Sequence, residues 1–113
     1  MTEVEIILRD AAALIESRGW TQGACARTES GARVEWNSNR AARWCASGAI
    51  LHCSPDTAAM ILTNTLSRAR CALVSVVGES IAAWNDAPGR TQGEVVAALR
   101  LAADRAQDTG EGT

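Results

Sequence analysis

Two capping boxes, one near each end of the chain, constrain the fold more than any other feature. Thr2-Glu3-Val4-Glu5 and Thr91-Gln92-Gly93-Glu94 each set a hydroxyl and a carboxylate three residues apart. At that spacing the two side chains reciprocally satisfy the free amides of a helix start. Behind the first box, apolar residues fall at Val4, Ile7, Leu8, Ala11, Leu14 and Ile15, a helical period that predicts an amphipathic helix. It should end near Arg18, which suits the negative end of the helix dipole, with Gly19 in the left-handed C′ position. Behind the second box, Val95, Leu99, Ala102 and Ala106 predict a last helix reaching about Ala106. Two such helices need a common core, and 113 residues give one: a single globular domain over 1–107, with 108–113 as a fraying polar tail.

Between these helices the period changes. Trp20 to Arg27 and Ala32 to Trp36 flank Thr28-Glu29-Ser30-Gly31 and read as a small β-hairpin, which must lean on helices through Trp20 and Trp36. Asn37-Ser38-Asn39 offers N-caps for a second helix, Arg40 to Cys53, with Ala41, Cys45, Gly48, Ala49 and His52 on one inner face of mostly small residues and Arg40, Arg43 and Ser47 outward. Ser54-Pro55-Asp56 has the order of cap, N1 proline and first-turn acid for a third helix, carried by Ala58, Leu62, Leu66, Ala69, Leu73, Val76 and Val77. It should run to about Val77, with a break available at Ser67 to Arg70. A short helical turn follows at Ser80 to Asp86, then a forced loop at Ala87-Pro88-Gly89. The expected fold class is mainly α, α+β by strict counting: about four helices with a small β-hairpin between helices 1 and 2.

Charge and composition narrow the function classes. Thirteen acidic against eleven basic residues leave −2, which gives no footprint for wrapping nucleic acid or coating an anionic membrane. The N-terminal apolar run is interrupted by charges, and the run from Cys71 to Gly78 is far below the roughly 18 residues a spanning helix needs. No secretory signal or membrane association is expected, and a cytoplasmic location follows. There the four cysteines stay reduced, and none forms a Cys-x-x-Cys pair. Every basic residue is Arg and every aromatic residue is Trp, so each cation is a planar fork and each aromatic carries an N–H that needs an acceptor when buried.

Two regions could carry function. Trp84-Asn85-Asp86-Ala87-Pro88-Gly89-Arg90-Thr91 gathers Asn85, Asp86 and Arg90 on one loop, a candidate binding site. The same residues also admit a structural reading: an Asx turn at Asp86, a helix cap at Thr91, Trp84 in the core, and Arg90 paired with Asp86 or a helix C-terminus. Arg33, Arg40 and Arg43 with Trp36 form the other candidate, in the one segment with positive charge: residues 20–54 carry four arginines against Glu29 and Glu35, a net +2. Its bland alternative is a solvated charged face. Cys45 and His52 are two turns apart on one helix, too far to share a metal, and a packed core explains Cys45, His52 and Cys53. With one His and no nucleophile, phosphate-loop or dinucleotide motif, no catalytic residues, metal or cofactor are assigned.

Gly19-Trp20-Thr21-Gln22-Gly23, Arg43-Trp44-Cys45-Ala46-Ser47-Gly48-Ala49 and, above all, Ile81 to Val95 with its Trp-Asn-Asp-x-Pro-Gly-Arg-Thr core resemble an uncharacterised family of small actinobacterial and actinophage proteins. The resemblance spans nearly the whole chain in the same order, and it implies a GC-rich bacterial or phage setting without an assigned activity. A non-catalytic protein-interaction module acting on a host protein is the expected function. Two alternatives stand beside it: nucleic-acid binding through a helix-turn-helix-like half from Val76 to Ala106, with Arg27, Arg33, Arg40 and Arg43 on one side but disfavoured by Glu94 at the start of its second helix, and small-ligand binding or catalysis by the Trp84–Arg90 loop.

Overall fold

Thr2 Oγ1 accepts a hydrogen bond from the Glu5 amide at 3.1 Å and starts helix α1 (Glu3–Arg18) in the computed structural model of the chain, which describes residues 2–54 and 65–109. Only half of the first capping box forms, because the Glu5 carboxylate turns to Arg9 at 3.0 Å instead of back to Thr2. The second box closes fully. Thr91 donates its amide to Glu94 Oε1 at 2.9 Å, and the Glu94 amide donates to Thr91 Oγ1 at 3.2 Å, so α5 (Gln92–Thr109) starts as its sequence predicts. It continues through Thr109, beyond the expected end near Ala106.

These two helices form the main packing interface. Val4, Ile7, Leu8, Ala11, Ala12 and Ile15 of α1 and Val95, Val96, Leu99, Ala102 and Ala103 of α5 are buried. Helix α2 (Ala46–Cys53) packs on the other side of α1, α3 (Thr65–Val77) contacts α5 and α1, and α4 (Ile81–Asn85) closes one end. The four principal helices are thus present, and the short turn expected after Gly78 is a fifth. Leu66, Ala69 and Leu73 of α3 are buried as its period predicts, and α3 runs unbroken through Ser67 to Arg70. The start expected at Pro55-Asp56, with Ala58 and Leu62, lies outside the described residues. Ser54 itself ends α2, donating its hydroxyl to the Ile50 carbonyl at 2.9 Å.

The expected hairpin is there and is joined by a third strand. β1 (Ala26–Arg27) pairs antiparallel with β2 (Arg33–Val34) and, on its other edge, with β3 (Arg43–Trp44), giving the order β2-β1-β3. The turn forms at Thr28–Gly31, where the Thr28 amide donates to Ala32 O at 2.9 Å and Gly31 takes φ +96°. β3 corrects the expected second helix, which starts at Ala46 rather than Arg40. Arg40-Ala41-Ala42-Arg43 are good helix formers, but the Trp44 backbone is claimed elsewhere. Its amide donates to Gly19 O and its carbonyl accepts from the Thr21 amide, so Trp20 bridges β3 in parallel. Gly19 has φ +136° and ψ 164°, outside the left-handed helical region, and a Cβ there would lie 2.7 Å from Arg43 Cγ. Only glycine fits both the backbone and the approach.

Candidate functional site

Register builds the first candidate site. Ala26, Val34 and Trp44 are opposed across the three strands, as are Arg33, Arg27 and Arg43. Side chains alternate along a strand, so the first set faces one way and the arginines the other. Ala26 and Trp44 are buried and Val34 half-buried against the helices. The arginine row therefore covers the outer face. Its central member, Arg27, is held by Thr21 Oγ1 at 3.0 Å, Gly31 O at 2.9 Å and Gln22 O at 3.2 Å. Arg43 reaches Thr28 O and Glu29 O at 3.3 and 3.2 Å. All these acceptors are neutral, so both guanidinium charges stay uncompensated. Arg33 and Arg40 are exposed, Arg40 on the turn before β3, and neither side chain pairs with a described residue. Elsewhere Arg9 pairs with Glu5 and Asp104, Arg90 with Glu94 and Arg100 with Glu16.

Trp36, two residues past β2, is half-buried against the core rather than on the arginine face, and its carbonyl accepts the buried Trp44 indole N–H at 3.0 Å. Arg43 lies in the sheet rather than on the outer stripe of a helix, with its stem against Gly19. It belongs to the candidate face and also supports the fold.

The second candidate site points inward. Asn85 is 1% exposed, and its amide makes four bonds. Oδ1 accepts from Trp20 Nε1 at 2.8 Å and from the Ala46 amide at 3.0 Å, while Nδ2 donates to Thr21 O at 3.1 Å and Asp86 Oδ1 at 2.9 Å. One side chain thus joins α4, the Trp20–Thr21 bridge strand and the first turn of α2. Asp86 Oδ1 also accepts the Gly23 amide at 3.0 Å, a tertiary bond in place of the expected Asx turn. Arg90 Nε donates to Trp84 O at 2.9 Å, its guanidinium sits 4.2 Å over the Trp84 ring, and Nη1 lies 3.6 Å from Glu94. Arg90 therefore caps the last turn of α4, one of the two partnerships its sequence position allowed. Trp84 is buried.

The cysteines are wetter than expected. Cys25 and Cys71 are exposed, and Cys45 and Cys53 half-buried. Cys45 is the N-cap of α2, its Sγ accepting the Gly48 amide at 3.2 Å. Burial raises the Cys53 thiol to about 11, with Asp10 adding to the effect. His52 is exposed, its ring 4.9 Å from the Trp44 ring. No His, Cys, Asp and Glu group suited to a metal occurs among the described residues.

Sequence reasoning grouped Arg27 with Arg33, Arg40 and Arg43 only under the nucleic-acid alternative and left it out of the candidate binding patch, although it is the centre of the arginine row. The signal was the alternation of Ala26 and Arg27, but it becomes a row only once β3 is known. Also missed was an open, mainly apolar groove of about 410 Å³ between α3 and the start of α4, lined by Leu66, Arg70, Cys71, Val74 and Ile81.

Fold and site together define a small helical domain that carries a three-stranded antiparallel sheet with a basic outer face. The chain belongs to the family described as "Family of unknown function (DUF6197)", which it matches over residues 1–105. No curated protein and no solved structure matches it significantly. Among the described residues, no helix is long and apolar enough to cross a membrane.

Proposed function

We propose that the protein is a small non-catalytic interaction module that docks an acidic surface of a host protein on its arginine-bearing sheet face. The observation that carries this reading is the distribution of charge compensation. Arg27, Arg33, Arg40 and Arg43 share one segment, and none has a carboxylate partner among the described residues. Arginine forks suit bidentate carboxylate contacts, and arginine is enriched at binding hot spots. The lysine-free composition supports a GC-rich gene, and the motif resemblance supports an actinobacterial or actinophage setting.

The two alternatives fit the geometry less well. A recognition helix in the C-terminal half would be α5, whose apolar stripe is buried and whose Arg100 is paired with Glu16. The Trp84–Arg90 loop directs Asn85, Asp86 and Arg90 to internal partners, which leaves few groups for a small ligand.

The test is a pull-down of the tagged protein from host lysate after nuclease treatment, read by mass spectrometry, beside the double variant Arg33→Glu/Arg40→Glu. Both residues are exposed, so the melting temperature should stay within about 2 °C while capture of the specific partner is lost. Arg43 is unsuitable for that comparison because its bonds also hold the Thr28–Glu29 turn. Undiminished capture by the double variant would sink the docking face. Retention that vanishes with nuclease would favour nucleic acid instead.

A further inference from the structure

The register that aligns the arginines aligns two cysteines as well. Ala26 faces Trp44 and Arg27 faces Arg43, and the same register continued one residue beyond the strands sets Cys25 opposite Cys45. Their backbones are joined directly, the Cys45 amide donating to Cys25 O at 3.0 Å. Opposed residues of an antiparallel pair have Cα atoms about 4.5–5.5 Å apart, inside the roughly 4.4–6.8 Å that a disulfide spans. Strand alternation, carried one residue beyond β1 and β3, puts both side chains on one face. Cys25 is exposed, at the rim of a groove it shares with Arg33, Val34 and Glu35, so an oxidant can reach it. Cys45 is half-buried behind it. Burial raises the Cys45 thiol above its ordinary range, the Gly48 amide opposes the rise, and negative charge at Cys25 adds to it. Cys53, at the end of α2, and Cys71, on α3, are in register with neither.

We propose that Cys25 and Cys45 are a peroxide-responsive dithiol that closes to a disulfide between the start of β1 and the N-cap of α2. The Cys25 thiolate attacks one oxygen of hydrogen peroxide, the O–O bond breaks, and the released hydroxide takes a proton to become water. Cys25 is then a sulfenic acid. The Cys45 sulfur attacks the Cys25 sulfur and displaces the sulfenic hydroxyl, which leaves as a second water with the Cys45 proton. Two thiols are oxidised and one peroxide is reduced. The crosslink closes a loop that contains all three strands, so it fixes the sheet that bears the arginine face. It does not depend on the identity of any partner.

The full-length protein is treated with an equimolar amount of hydrogen peroxide and analysed by intact mass and by peptide mapping after alkylation. The expected product is a monomer lighter by two hydrogens, with one crosslinked peptide pair joining Cys25 to Cys45 and a melting temperature raised by roughly 5–15 °C. Dithiothreitol should reverse both changes. Cys25→Ser and Cys45→Ser should each abolish the crosslink. Serine is a preferred N-cap, so Cys45→Ser keeps the start of α2 and the variant's fold. Cys53→Ser/Cys71→Ser should crosslink like the parent. A disulfide mapped to any other pair, a covalent dimer through Cys71, or Cys25 oxidised to sulfinic acid with no loss of two hydrogens would overturn the proposal.

Discussion

At the scale of single residues, the buried Asn85 amide joins three segments through four hydrogen bonds. Removing that amide would leave the buried Ala46 amide and the half-buried Trp20 Nε1 without their acceptor. Orphaned buried donors cost about 1–3 kcal/mol each, so Asn85→Ala should lose about 2–4 kcal/mol, read as a lower urea midpoint with an unchanged slope. A variant of parental stability would return Asn85 to the list of ligand-binding groups. The thiols give a pH-dependent prediction at the same scale. Thiolate is the reactive form, and Cys53 is held near 11 by burial. At pH 8, iodoacetamide should therefore modify exposed Cys25 and Cys71 well before Cys53, whose rate should climb only toward pH 11. Because the folded value lies above the unfolded one, the folded state binds the proton more tightly, and the contribution of Cys53 to stability is lost as pH rises from 9 through 11.

At the scale of elements, glycines report how closely the pieces approach. An ideal Cβ on Gly48 would fall 2.3 Å from the Cys25 carbonyl oxygen, a rigid backbone atom that also accepts the Cys45 amide. Gly48→Ala should then force α2 away from β1 and cost on the order of 3 kcal/mol, despite alanine's better helix propensity. Gly93, in the first turn of α5, meets nothing within 4 Å, and Gly93→Ala should instead raise stability by up to about 1 kcal/mol. Opposite signs for one substitution in two helices, measured by thermal unfolding, would establish that the α2–β1 contact sets the first effect. Equal signs would refute it. α1 and α5 were legible in the sequence because local caps and apolar period agree there. β3 was not, since Arg40 to Cys53 has continuous helical propensity and only Gly19, Thr21 and Ala26, all distant in sequence, hold Trp44 extended.

At the scale of the whole molecule, α1 is the element on which the others converge, and its apolar stripe meets α5 over most of its length. The ion pairs across that interface, Arg9 with Asp104 and Arg100 with Glu16, involve exposed carboxylates and add little beside the apolar contact. Amides of Ala11, Ala12, Leu99 and Ala102 should accordingly exchange slowest, through global unfolding, while α4 and the strands exchange through smaller openings. Hydrogen exchange with mass spectrometry checks this, and equal protection of α4 and α1 would contradict it.

The sequence by itself determined the helical class, both terminal helices with their core faces, the Thr28–Gly31 turn and the polar loop before Thr91. Each of these is written in residues a few positions apart, where capping, period and turn chemistry act. Only the tertiary structure decided that Arg43 and Trp44 form a strand, that Arg27 joins Arg33 and Arg43 in one row, that Asn85 points inward, and that Cys25 faces Cys45. Those outcomes depend on backbone hydrogen bonds between segments distant along the chain, and a buried amide takes whichever acceptor the packing brings to it.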